Sequence, residues 1–393
     1  MLIYFLIPIY LFILSLISPK NQIIKNISFI ITAVFLCTTY FNGSDWRHYE
    51  LMYEQISYNN LYKSYGEFGY KIMTLILKSV GLNFWHFFII IKMCCFYIFI
   101  REIKRISENN FISLLLFYNY IAIYLFIDCP LRNLIAISIF LFSQKYLEKQ
   151  KYLKFLFLFL LAFMFHKSAI IMLICPFLQK FNKIDRKTLI FLMIIVYILL
   201  MTPEIIVKIS SFFPFGIEEK LATYYEKTNL KIFSLGSIEK ITVIFLLIWN
   251  RDKINKKYKR GLVVINFAIA HFIMYRLAMS IPILFRLALY YQIYYIVGIY
   301  YLICLFRQRL IRLLIFISFT LYSSYFVFRA AQETYILIPY VSYINYMFEE
   351  KPSYEYRDEY HFMKYIERNG KDEYIRKYLK ILEDRRKENE KNK

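Results

Sequence analysis

Long apolar runs separated by short clusters of charge set the rhythm of this chain. A bilayer crossing needs about 20 mostly apolar residues, fewer when the ends snorkel or neighbouring helices help. On that measure crossings fall near residues 2–18, 27–42, 84–100, 111–128, 131–147, 153–166, 168–180, 188–207, 239–250, 261–279, 283–306 and 308–328. The pattern predicts an all-α, polytopic transmembrane helical bundle of about 12 spans, within a range of roughly 11–14. The apolar stretch 335–348 is short and interrupted by Pro339, and it is not counted. The first run, 2–18, lacks a basic lead and an A-x-A-like cleavage site, so it reads as a span and not a signal peptide. One transmembrane domain, 1–348, would carry two long outer loops, 43–83 and 208–238. Within the first, 69–82 has helical apolar spacing and reads as a short helix lying at the interface. The polar tail 349–393 mixes both signs at i, i+4 spacing and reads as a solvated helix.

Composition agrees with the pattern. The chain is 59% hydrophobic and 20% charged, whereas soluble domains run near 45–50% apolar with about 25% charge. A net charge of +22 would suit nucleic acid if it were spread over one face, but it sits in short loops. "REIKRISENN" (101–110), "KYLEKQKYLK" (145–154), "KFNKIDRK" (180–187), "RDKINKKYKR" (251–260) and "RQRLIR" (307–312) all fall on one face when crossings are counted, with Lys20 and Lys25. Positive loops mark the cytoplasmic side, so the opposite face is the outer one and nucleic acid is not a partner. The six cysteines lie in or beside apolar segments without metal-ligand spacing, and they read as small core residues.

The outer face collects unusual polar residues. Asp45 follows Gly43-Ser44; Glu67 lies in "YGEFGY"; Arg132 and Asn133 stand in the polar island "DCPLRN". His166 closes "LAFMFH", and Arg276 and Arg286 flank Pro282. Each has a plain structural explanation: a helix cap for Asp45, snorkelling for an arginine, an interfacial histidine. Mid-span Lys92 and His271 read as buried packing or pairing groups. Together, though, guanidiniums at headgroup depth suit a diphosphate through charge-assisted, two-pronged hydrogen bonds. A carboxylate or imidazole beside them suits proton removal from a hydroxyl, with Asp45 favoured as base and His166 as a positioning or phosphate-contacting group. These parts describe sugar transfer from a lipid diphosphate to a hydroxyl. No Gly-rich nucleotide loop or D-x-D motif is present, so neither cofactor nor metal is called for.

Five short motifs in order then carry a resemblance: "GSDWRHY" (43–49), "YGEFGY" (65–70), "PLRNLIAISIFLFSQKYL" (130–147), "LAFMFHKSAII" (161–171) and "FRLALYY" (285–291), with "IPYVSYI" (338–344) after them. The chain resembles the EpsG/Wzy-type family of bacterial polysaccharide polymerases over roughly 40–345. The resemblance implies an enzyme of the cytoplasmic membrane, multi-pass, with its active site on the outer face. It joins oligosaccharide repeat units carried on undecaprenyl diphosphate for O-antigen, capsule or exopolysaccharide synthesis. Donor and acceptor would both be such lipid-linked oligosaccharides, membrane lipid the surroundings, and a flippase and a chain-length regulator candidate partners. By position it implies Asp45, Arg132, His166 and Arg286 as catalytic, with Glu67, Arg276, Asn133 and Tyr290 contacting substrate. Asn133 stands where the family more often has Gln. Alternatives stay open: a flippase for the same lipid-linked sugars, a ligase with nearly the same chemistry, and a membrane O-acyltransferase.

Overall fold

The computed structural model describes residues 2–17, 21–61, 66–199, 234–333 and 337–354, with 356, 357, 359 and 360. Among them the fold is all-helical, without strands beyond a single bridge. The helices are α1 (Ile3–Ile17), α2 (Gln22–Cys37), α3 (Trp46–Gln55), α4 (Phe68–Ser79), α5 (Phe84–Ile106), α6 (Asn110–Phe117), α7 (Leu131–Glu148) and α8 (Tyr152–Phe165). They continue as α9 (Cys175–Leu178), α10 (Arg186–Leu199), α11 (Leu235–Trp249), α12 (Arg251–Lys257), α13 (Gly261–Ser280), α14 (Phe285–Leu305) and α15 (Arg309–Glu333).

Among the described residues, four helices are long and apolar enough to cross a membrane: Phe84–Ile106, Gly261–Met279, Phe285–Leu305 and Arg309–Ala331. Four shorter apolar helices accompany them, Ile3–Ile17, Gln22–Cys37, Asn110–Ala122 and Tyr152–Phe165. The gap between these and the expected twelve has local causes. The run 111–128 is broken after Phe117 by two π-helical turns, Tyr118–Ala122 and Tyr124–Asp128. The run 168–180 forms tight 3-10 turns over Lys167–Ile174 before α9, instead of one regular helix. Helix α7 carries three charges, Arg132, Lys145 and Glu148, within 18 residues, too many for a plainly apolar span. The run 188–207 is described only as far as Leu199, and most of the loop 208–238 and of the tail lies outside the described residues. Outward-facing Leu153 and Phe157 on α8 and Leu310 and Leu321 on α15 are mostly exposed, the surface a hydrocarbon solvent wets at no cost.

Helix α14 is the axis of the bundle, with every residue from Ala288 to Ile303 buried. Its tyrosines would be costly there unpaired, since no water reaches such hydroxyls. Hydrogen bonds offset that: Tyr291 donates to the Ile171 carbonyl at 2.9 Å, Tyr294 to Glu102 at 2.6 Å and Tyr301 to the Ile106 carbonyl at 2.6 Å.

The basic loops do meet at one end. Arg105 bridges Glu102 and Glu148, and Arg260 reaches Glu148 at 3.1 Å and the Arg105 carbonyl at 2.9 Å. Arg251 donates to the Phe181 and Ile184 carbonyls, and Lys257 to that of Cys304. Loops 101–110, 145–154, 180–187 and 251–260 are thereby stitched together beside the end of α14.

At the opposite end, residues 337–346 of the uncounted apolar stretch pair with the chain instead of forming a long helix. Tyr40 N–H donates to the Val341 carbonyl at 2.8 Å, Tyr343 N–H to that of Thr38 at 2.7 Å, and Asn42 Nδ2 to that of Pro339 at 2.8 Å. Residues 337–346 thus clamp the strip Thr38–Asn42 that leads into α3. The start of the tail stays at this end, because Arg357 forks onto both Glu50 oxygens at 2.7 and 2.9 Å. The helix expected over 69–82 is α4, Phe68–Ser79.

Candidate active site

The loop before α3 shows how the sequence builds a site. Gly43 has φ +89°, and a Cβ there would collide with the Ile127 carbonyl oxygen, so only glycine fits this close approach. With the backbones in contact, the N–H and hydroxyl of Ser44 both donate to Asp128 Oδ1, at 2.8 and 2.6 Å. That tie turns the next residue, Asp45, toward a cavity of about 360 Å³. Asp45 occupies the position before α3 but makes no capping hydrogen bond, so the cap explanation does not hold.

The cavity is lined by Asp45, His48, Tyr49, Pro130, Arg132, Asn133, His166 and Arg286. Four predicted residues from four distant segments, and Asn133 with them, therefore share one space. Helix termini explain the meeting. Asp45 precedes α3, Arg132 is the second residue of α7, His166 ends α8, and Arg286 is the second residue of α14. Three helix N-termini converge here, and the positive ends of their dipoles favour an anion alongside the two guanidiniums.

Arg132 is held before any ligand arrives. Its guanidinium forms an ion pair with Glu67, and its backbone N–H and Nε–H reach the Tyr49 hydroxyl at 3.3 and 3.4 Å. The turn before it is costly to make: Cys129 takes φ 52°, left-handed for a non-glycine residue, a strain of about 1–3 kcal/mol of the kind found at functional sites. Two π-helical turns lead into it, another local feature common near sites.

A second relay fixes His166. The Ser168 backbone N–H donates to His166 Nδ1 at 3.1 Å. An amide nitrogen can only donate, so Nδ1 accepts and the neutral ring carries its proton on Nε2. Ser168 Oγ lies 2.6 Å from Nδ1, to which its hydroxyl donates, and stands 3.0 Å from both Asn133 Oδ1 and the Tyr290 hydroxyl. Asn133, 1% exposed, is left with a buried Nδ2 that has no partner, a donor held ready at the cavity wall.

Electrostatics single out Asp45. Burial, then the Asp128 carboxylate, push its carboxyl up to about 6, against the pull of Arg286, Arg132 and the Ser44 hydroxyl. Burial and then Arg132 lower the His48 imidazole.

Not every expected residue is here. Tyr290 is fully buried on α14 and touches Ser168, so it braces the relay and does not line the cavity. Arg276 lies elsewhere, its guanidinium 5.5 Å from the centre of the Tyr197 ring, because α10 packs on that side of α13. Glu67 acts through Arg132. Of the mid-span groups, Lys92 donates to Thr39 Oγ1 at 2.9 Å, and His271 Nδ1 lies 3.0 Å from the Ala288 carbonyl. Sequence reading passed over Asp128, Tyr49, His48 and Ser168. Asp128 was legible, since it begins the same polar island as Arg132; Ser168 follows His166 by two.

A helical bundle with outward apolar faces, holding two guanidiniums, a carboxylate and two imidazoles in a pocket at its helix ends, defines a membrane protein with a polar cavity. A model of the EpsG family matches residues 22–347, and the chain belongs to that family. Comparison with curated proteins and with solved structures gave no match.

Proposed function

We propose that the protein is a polysaccharide polymerase, a glycosyltransferase joining lipid-diphosphate-linked oligosaccharide units at the outer face of the bacterial cytoplasmic membrane. The observation that carries this reading is the shared cavity of Asp45, Arg132, Asn133, His166 and Arg286. Membership of the EpsG family supports it. In this reading the diphosphate of the donor lies between Arg132 and Arg286, with the Asn133 Nδ2 and His166 Nε2 protons turned to its oxygens. The acceptor hydroxyl oxygen forms a bond to the anomeric carbon while Asp45 takes its proton. The bond from that carbon to the diphosphate breaks, and the electron pair leaves with the diphosphate, whose growing charge the guanidiniums stabilise. The His166 tautomer favours Asp45 as the base, because Nδ1 is already an acceptor and Nε2 a donor. The carriers are undecaprenyl-diphosphate oligosaccharides, and the bundle crosses the membrane about a dozen times by the apolar pattern.

The test is glycan length in cells. Cells lacking the protein should still display single repeat units at the surface and no long glycan. Absence of any unit at the surface would instead mark a flippase. Chelation of divalent metals should leave polymerisation intact in membranes, and strict loss with EDTA would overturn a mechanism resting on these side chains alone.

A further inference from the structure

A second cavity, of about 190 Å³, opens beside the first. Its walls are the π-helical stretch after α6, through Asn119, Tyr124 and Asp128, and one side of α15, through Phe326, Val327 and Ala330. We propose that this crevice seats the diphosphate-proximal isoprenoid segment of the lipid carrier. The proposal rests on the reading above, and deepens it by assigning a place to the hydrocarbon half of the substrate.

Three observations carry it. The crevice and the polar cavity share a border. Asp128, at the crevice wall, is tied to Ser44 next to Asp45, and the Tyr124 ring meets Phe285, the neighbour of Arg286, edge-on at 5.7 Å. A ligand with its diphosphate on Arg286 would have its chain emerge here. The crevice is also propped open. Asn119 Nδ2 donates to Ser323 Oγ at 3.0 Å and Ser324 Oγ at 3.1 Å, which fixes the separation of the two walls. The π-helical turns change the residue spacing along one wall, so it meets α15 through Asn119 and Tyr120 beside the void. Finally, α15 turns Leu321, Tyr325 and Phe328 outward, so a chain leaving the crevice passes directly into hydrocarbon. A mostly apolar void holds water poorly, whereas an isoprenoid fills it. The volume admits only a short stretch of chain, which leaves the remainder in the bilayer.

The experiment uses the full chain in lipid nanodiscs and a polyprenyl diphosphate bearing a diazirine on its first isoprene unit. After irradiation, the adduct should map to residues 119–128 and 326–330. Labelling there should fall at least fivefold in Arg132→Gln, which removes the grip on the head group, and in Ala330→Leu, which narrows the crevice. Adducts confined to other surfaces of the wild-type chain would overturn the proposal without needing any variant. So would equal crevice labelling by a diazirine phosphatidylcholine, because the site would then take any lipid. Failure of the functional reading looks different: Arg132→Gln would polymerise normally in cells and bind the probe as the wild type does. If Arg132→Gln lost both polymerisation and binding while adducts fell outside the crevice, the polymerase reading would stand and the crevice assignment would fall.

Discussion

If Asp45 removes the acceptor proton, activity must follow its ionisation, and the structure says where. Its carboxyl is lifted from 3.8 to about 6, first by burial and then by Asp128. That lift of about two units is worth on the order of 3 kcal/mol in favour of the neutral form. Between pH 7 and pH 5 the ionised fraction should drop from about nine-tenths to about one-tenth, whereas an ordinary carboxyl would stay more than about nine-tenths ionised. The quantity to follow is kcat/KM for polymerisation in detergent or nanodiscs, because it reports the free enzyme. It should rise almost tenfold from pH 5 to pH 7, with a midpoint near 6. Two substitutions then test the cause with opposite signs. Asp128→Asn keeps an oxygen for Ser44 but deletes the like charge, so the midpoint should fall by on the order of one unit. Arg286→Gln removes a charge that favours ionisation, so the midpoint should rise even as overall activity falls. A profile flat from pH 5 to pH 8, or a midpoint indifferent to Asp128→Asn, would refute the assignment of Asp45 as base.

Arg132→Lys should lose about a hundredfold or more in kcat/KM, since an ammonium cannot reach Glu67, Tyr49 and a phosphate oxygen at once, and charged hydrogen bonds are each worth about 1.5–3 kcal/mol; near wild-type long-chain glycan on a gel would count against the diphosphate role. Ser168→Ala removes the link between His166 and Asn133 and should lower kcat roughly tenfold, with folding unchanged by size-exclusion and thermal unfolding. Gly43→Ala should destabilise the loop by about 1–2 kcal/mol from its backbone conformation alone, with a further cost from the Ile127 collision, read as a lower unfolding temperature and an inactive protein.

What the sequence revealed follows from how each signal is encoded. Helical class and the gathering of basic loops at one end were plain because apolar length and loop charge are properties of single segments. The contacts of Arg105, Glu148, Arg251 and Arg260 join four loops that the charge pattern alone had assigned to one face. Asp45, Arg132, His166 and Arg286 were found because polar residues at apolar span ends stand out one by one. Tyr290 and Arg276 were misplaced for the converse reason. Whether a residue on a mostly apolar helix faces a pocket depends on helix rotation, and α13 and α14 have almost no polar stripe to fix it. The breaks after Phe117 and His166 were hidden too, since a π turn or a 3-10 run keeps the composition of an α-helix while changing its geometry. Residues 337–346 were ambiguous because an apolar strip can cross a bilayer or pair with another strip, and only the partner Thr38–Asn42 decides between them.

The charges in the pocket show why its parts belong together. Arg132 is offset by Glu67, and Asp45 lies under the influence of both Asp128 and Arg286, so around the pocket three carboxylates stand against two guanidiniums. Such a pocket would repel a diphosphate if all three acids were ionised and equally near it. The structure avoids that by separating them: Asp128 is turned onto Ser44 and Glu67 lies behind Arg132, which leaves Asp45 as the carboxylate at the cavity wall, and that one is easily protonated. If a diphosphate binds here as proposed, its negative charge beside Asp45 would raise the proton affinity of that carboxylate further. In the proposed reading the donor would strengthen the base that deprotonates the acceptor, while Arg286 and Arg132 offset enough of the added charge for Asp45 to stay ionised.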